Sequence, residues 1–372
     1  MSTKTAPYRY DIVGSFLRPP SLKEARAAFS ADTINNEELQ AAEDAAISDL
    51  IAKEKAVGLQ AVTDGEFRRR YWHLDFLAAL EGIQEVAAEH WSVEFKGHQP
   101  KAATIHIVDK IEFGNHPFVQ HFNYTKSIAG DTPVKFTIPS PTMLHLISCV
   151  REENYQAIDR YTNEVDLYAD IAAAYRDAIA AFYAAGCRYL QFDDTSWGEL
   201  CDPDKRAAYE ARGFDLDKLA KDYVTLVNAA LEGKPDDLTV TMHICRGNFR
   251  STWFSSGGYE PIAQTLFGQC KVDGFFLEYD SDRSGGFEPL RFIDRQKVVL
   301  GLVTSKNGQL EDENALRARI DEAAKIVPLD QLALSPQCGF SSTEEGNILT
   351  EKDQWAKIDL IRRVARSVWP DA

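Results

Sequence analysis

Strand and helix alternate along most of this 372-residue chain, and polar residues able to do chemistry recur at the carboxyl ends of the strands. Together these observations predict an α/β fold, a (β/α)8 TIM barrel. Alternation by itself also fits an open doubly wound sheet. The strand ends break the tie: Asp64 and Glu66, Asp193 and Asp194, His243 and Cys245, Glu278 and Asp280, and Cys338 all fall there. A closed barrel gathers such ends at one mouth, whereas an open sheet spreads them along a rim. A single catalytic domain over residues 1–372 is the expectation.

The elements follow in order. From residue 36, NEELQAAEDAAISDLIAKEKAVG reads as a helix with Asn35 or Asn36 as cap, an apolar stripe through Leu39, Ile47, Leu50 and Ile51, and Gly58 as stop. LQAVTDGEF then reads as a buried strand running into a loop. The unit recurs as the helix TNEVDLYADIAAAYRDAIAAFYAAG with the strand RYLQFDD, and again as DLDKLAKDYVTLVNAALEG with LTVTMHIC. VDGFFLEYD, KVVLGLV and DQLALSPQCGF are further strands, with EDENALRARIDEAAKIV as the helix between the last two. Two stretches depart from this repeat. Residues 84–135 are aromatic, β-branched and alternating, which predicts a β-rich excursion standing on the barrel mouth. The segment from Tyr8 to Pro20 is too short for a domain and is expected to lie across the barrel.

With 44% hydrophobic and 26% charged residues the chain has the make-up of an ordinary globular protein. A formal net charge of -16, spread along the chain, argues against nucleic acid or an anionic membrane as partner and for small-molecule substrates. No signal peptide and no membrane-length apolar run is evident, so a cytoplasmic location is expected. The six cysteines are too scattered for a disulfide framework. Cys149, Cys187 and Cys270 sit in or beside apolar segments and are expected to be buried packing residues.

The sharpest chemical feature is the H-x-C pair in TMHICRGNF. Alternate residues of a strand point to one side, so His243 and Cys245 face the barrel mouth together. Cys338, at the end of the last strand, adds a second sulfur, and Glu278 in FFLEYD adds an oxygen, with Asp280 as its alternative. That N/S/S/O set suits one tetrahedral zinc ion. Two sulfur ligands leave such an ion suited to holding another thiol in ionised form, which implies alkylation of sulfur.

The chain resembles the catalytic C-terminal barrel of cobalamin-independent methionine synthase. VGSF near the start, TDGEF, QFDD, HIC, the glutamate strand and the late SPQCGF carry the resemblance, in that order. It implies methyl transfer to homocysteine to make methionine, with 5-methyltetrahydrofolate, in polyglutamylated form, as donor. By motif, His243, Cys245, Glu278 and Cys338 resemble the family's zinc ligands, and Ser15, Glu66 and Asp193 its homocysteine contacts. Trp72, Trp197 and Trp253, with His73 and Phe76, are candidates for stacking on a flat donor such as a pterin. Arg68, Arg69 and Arg70 are either a solvated basic run or a carboxylate clamp.

The sequence also departs from that family. Its length has no room for the additional N-terminal barrel of the double-barrel members. Where those enzymes place a histidine that protonates the leaving group, this chain reads GLVTSKNGQLE, so Lys306 or a water must serve, or the donor needs no proton. A methylated corrinoid protein is one such donor, and another thiol acceptor is a second variation. A metal-free lyase resembling uroporphyrinogen decarboxylase and a non-catalytic zinc protein are the readings from other classes.

Overall fold

The computed structural model describes residues 5–87, 95 and 103–372. Eight strands run in chain order: β1 (Glu81–Ala87), β2 (Ala103–Glu112), β3 (Lys135–Pro139), β4 (Tyr189–Asp194), β5 (Thr239–Ile244), β6 (Gly274–Glu278), β7 (Lys297–Val303) and β8 (Leu332–Pro336). β3 to β8 form one parallel sheet in sequence order, and β1 and β2 form a separate antiparallel pair. The sheet strands are rich in Val, Ile, Leu and Phe and almost wholly buried, as expected of strands covered on both faces.

Short segments extend both edges of the sheet. Tyr10 bridges in parallel to Leu334 of β8, with Asp11 N donating to Leu334 O at 3.0 Å. At the opposite edge Val62 bridges to Val134, and Lys135 N donates to Val62 O at 2.9 Å. The two segments also meet each other, through Thr63 Oγ1 on Gly14 O at 2.7 Å and Phe16 N on Gly65 O at 3.1 Å. The strand expected over residues 59–67 is therefore a single bridge. Gly65 and Glu66 take φ values of 64° and 61°, which turns the chain out of the extended state.

The helices follow the predicted signals. Asn35 closes a capping box with Glu38 at the start of Asn36–Val57, and Gly58 ends that helix at φ 89°. Asn163, Asp215 and Asp312 cap Glu164–Ala184, Leu216–Ala230 and Glu313–Ala323. The excursion is β-rich only over β1 and β2. Phe118–Ala129 is helical, because Phe118, Phe122, Thr125 and Ala129 fall on one helical face, and Lys135 already belongs to the main sheet. Residues 88–94 and 96–102 of that excursion lie outside the described residues.

No described helix is long and apolar enough to cross a membrane. All six cysteines are buried with free thiols, as expected for Cys149, Cys187 and Cys270.

Candidate metal centre

β5 delivers the first two donors. Asp193 and His243 are register partners, and Cys245 N donates to Asp194 O at 2.7 Å, which continues the β4–β5 ladder one step past the strand. His243 and Cys245 thus leave the sheet on the same side. β6 ends on Glu278, and Cys338 follows β8 by two residues. One donor atom from each of His243, Cys245, Glu278 and Cys338 lies within 4.8 Å of the others, and all four residues are buried. The two sulfurs are 3.5 Å apart.

The surroundings orient each donor. His243 Nδ1 sits 3.2 Å from Phe276 O, and its Nε2 has no hydrogen-bond partner. A proton on Nδ1 leaves the Nε2 lone pair for an electrophile. Burial opposes charging this imidazole, yet the Cys338 sulfur, with Asp193 and Glu278, lifts its pKa to about 9. The hydrogen bond from Cys245 pulls the Cys338 thiol well below its ordinary value despite burial, and the same contact pushes Cys245 up. Glu278 accepts from Arg246 N at 2.8 Å and from Arg283 Nη2 at 2.6 Å. Arg283 also holds Asp280, at 3.0 Å, so Asp280 is tied up outside the donor cluster. An orphaned imidazole nitrogen, two close thiols and a buried carboxylate fit a divalent cation, which replaces their protons.

Ser15, Glu66 and Asp193 line a cavity that encloses, with its open mouth, about 290 Å³, together with His243, Cys245 and Cys338. Glu66 accepts from Thr137 Oγ1 at 2.9 Å through Oε1, its Oε2 has no partner, and burial raises its pKa. Asp193 accepts from Gln191 Nε2 at 2.7 Å, and burial, opposed by His243, raises its pKa to about 7. Ser15 Oγ accepts from Ser341 N at 3.2 Å. A Cβ on Gly339 would stand 2.0 Å from that oxygen, so a side chain there would displace the Ser15 hydroxyl.

The other candidates divide. Trp72 lines this cavity and the adjoining one. Trp197 is fully buried edge-on to Tyr223, and Trp253 lies under the Arg283 guanidinium; neither lines a described cavity. Lys306 is buried, and its ammonium donates to Asn248 Oδ1 at 3.0 Å, Thr252 O at 3.3 Å and Gly247 O at 3.4 Å. Arg68 and Arg69 are buried, Arg68 on Glu43 and Asp44 and Arg69 on Thr137 O, while Arg70 is half exposed on Glu85. Sequence reasoning missed Gln191, which donates to both Val13 O and Asp193 Oδ1 at 2.7 Å, and Arg246, whose backbone N–H holds Glu278. Gln191 is the first residue of QFDD and Arg246 directly follows HIC, which was the available signal.

The family model described as "Cobalamin-independent synthase, Catalytic domain" matches residues 10–354. The chain belongs to the cobalamin-independent methionine synthase family. Within it, the chain is 47% identical over 369 residues to the uncharacterized protein YxjH of Bacillus subtilis, covering 98% of this chain and 96% of that one. Identity to the methionine synthase of Saccharolobus solfataricus is 24% over 345 residues, with 88% and 87% of the two chains covered. The crystal structure of a Listeria monocytogenes protein, named as a candidate vitamin-B12-independent methionine synthase, superposes with a TM-score of 0.79 at 42% identity over 99% of both chains. A B12-independent methionine synthase from a Shewanella strain, in complex with selenomethionine, shares the fold at a TM-score of 0.72 and 19% identity over 97% of both chains.

Proposed function

We propose that this family member is a zinc-dependent methyltransferase that methylates the thiol of homocysteine to form methionine. The observation that carries the reading is the approach of the donor atoms of His243, Cys245, Glu278 and Cys338 to within 4.8 Å, beside a cavity that also holds Ser15, Glu66 and Asp193. Bound there, zinc would keep a substrate thiol ionised near neutral pH. The chain's own residues supply the rest. The unpartnered Oε2 of Glu66 and the Asp193 carboxylate suit the ammonium of an amino acid, and Ser15 Oγ suits its carboxylate. Burial of all four donors keeps bulk water from the reacting sulfur.

We further read the segments around Tyr10 and Val62 as the first two strands of a closed eight-stranded ring. Their hydrogen bonds to β8, to Lys135 and to each other support it. Lys306, with three acceptors already on its ammonium, acts in this reading as a clamp on the loop after β5 and not as a proton source.

Metal analysis of the purified protein and mass-spectrometric detection of methionine test the proposal, with 5-methyltetrahydrofolate, as triglutamate, the reference donor that the family implies. Cys338→Ser and Cys245→Ser are each expected to lose both zinc and methionine formation while far-ultraviolet circular dichroism stays that of a folded protein. Full turnover in either variant ends the mechanism.

A further inference from the structure

Arg18 is buried, and its guanidinium donates only to backbone oxygens, drawn from three separate segments. Nη1 reaches Phe16 O at 3.3 Å and Ser341 O, and Nη2 reaches Glu66 O at 2.6 Å and Arg69 O at 3.1 Å. Burial lowers its pKa to about 10, which leaves it charged near neutral pH.

Each of those segments also contributes to the cavity beside the candidate metal centre. Ser15 precedes Phe16, Glu66 presents its unpartnered Oε2, and Ser341 lies between the lining residues Gly339 and Ser342. Ser341 N donates to Ser15 Oγ at 3.2 Å, so the proton of that hydroxyl is left for another acceptor. Glu66 takes the left-handed φ of 61°, and its carbonyl oxygen accepts from both Arg18 and Arg69 N, the latter at 3.0 Å, which holds the turn. Phe16 N on Gly65 O at 3.1 Å and Phe340 N on Ser15 O at 2.9 Å join the segments in pairs. The Arg18 fork joins all three.

The candidate metal donors are held by other groups. None of the Arg18 hydrogen bonds reaches β5 or β6, which position His243, Cys245 and Glu278. Cys338 is fixed from the β7 side: Gln337 N donates to Val303 O at 2.8 Å, and Gly339 O accepts from Asn248 Nδ2 at 2.8 Å and Ser305 Oγ at 2.9 Å.

We propose that Arg18 is a positioning residue for the amino-acid head of the substrate, its ammonium and carboxylate. One guanidinium sets the separation of Ser15 from Glu66, and with it the preference for a thiol that carries such a head. The inference rests on the thiol-methylation reading, which gives those two side chains that role.

Arg18→Lys keeps the charge, but a single ammonium cannot span oxygens on three segments as the planar fork does. The variant is expected to stay folded by far-ultraviolet circular dichroism and to keep its zinc. Titration calorimetry should show L-methionine, with metal present or removed, bound about tenfold more weakly than by the wild type. On the cobalt-substituted protein, homocysteine should need about ten times the wild-type concentration to change the absorption bands, whereas 2-mercaptoethanol, which lacks the head, should be unaffected. Turnover should show a raised KM for homocysteine with kcat largely kept. Arg18→Gln, which loses the charge as well, is expected to go further in the same direction. Unchanged methionine binding, equal weakening of both thiols, loss of zinc, or loss of the fold in both variants overturns the proposal, the last because Arg18 would then be a scaffold group. A wild-type protein that responds to neither methionine nor homocysteine removes the thiol-methylation reading itself, and this inference with it.

Discussion

Lys306 shows how one side chain's partners decide its role. Its ammonium bonds to the backbone oxygens of Gly247 and Thr252 and to the Asn248 side chain, all on the loop that follows the strand carrying His243. Lys306→Met would leave buried acceptors unpaired, at a cost of ~1–3 kcal/mol. The expected outcome is a lower denaturant midpoint and slower turnover, both partly rescued by Lys306→Arg. Loss of turnover with the midpoint unchanged would restore Lys306 as the acid.

Lys135 gives a prediction of the opposite kind, read in stability. It is fully buried on Asp11 and the Phe276 ring, and burial lowers its pKa from 10.5 to about 8. Between those values the unfolded chain binds more protons than the folded one, so this group adds stability as pH rises through the window and nothing further below it. The stability difference between the wild-type protein and Lys135→Met should therefore shift toward the wild type from about pH 8 to above pH 10. A flat or falling difference in chemical denaturation would refute the assignment. The candidate donors were legible in sequence because few residue types bind zinc and strand periodicity aligned two of them. The duties of Lys306 and Lys135 were not, because both depend on acceptors contributed by distant segments.

At the scale of elements, the short helix Ser196–Cys201 determines how closely the chain after β4 can approach the chain after β5. A Cβ on Gly198 would fall 2.3 Å from Cys245 O, far inside contact distance. Gly198→Ala must push that carbonyl away and carry Cys245 with it. The variant is expected to fold but to hold zinc less tightly, seen as faster release to a chelator; unchanged release would mean the loop adjusts without moving the thiol. Longer helices were legible through caps such as Asn35 and stops such as Gly58, which act locally. The helix Phe118–Ala129 was hidden because its aromatic, β-branched residues look strand-like, and only the spacing of Phe118, Phe122, Thr125 and Ala129 betrays the helical face. The bridge at Val62 fell short of a strand because Gly65 and Glu66 turn the chain into the left-handed region.

Across the whole molecule, the candidate metal donors come from the ends of β5, β6 and β8, spanning residues 243 to 338, so a bound ion ties together parts of the sheet remote in sequence. Order in the alternation of strand and helix made that convergence readable before any coordinates, whereas contact between the two edge segments was not, since it depends on a few bridges. The large apolar core, running from Tyr10 to Trp369, is built from side chains other than the four candidate donors. Those facts separate a working site from a structural one. A purely structural zinc is the folding energy of its domain, and removing it unfolds the protein. Here the chelated protein is expected to keep its secondary structure and a cooperative unfolding transition, while zinc at a hundred times its dissociation constant adds about 2.7 kcal/mol by mass action. Denaturant titrations with chelator and with zinc measure the gap, and Cys245→Ser should unfold near the chelated midpoint whatever the zinc concentration. Collapse of the wild-type protein on chelation would mark the centre as structural and remove the case for a position open to a substrate thiol.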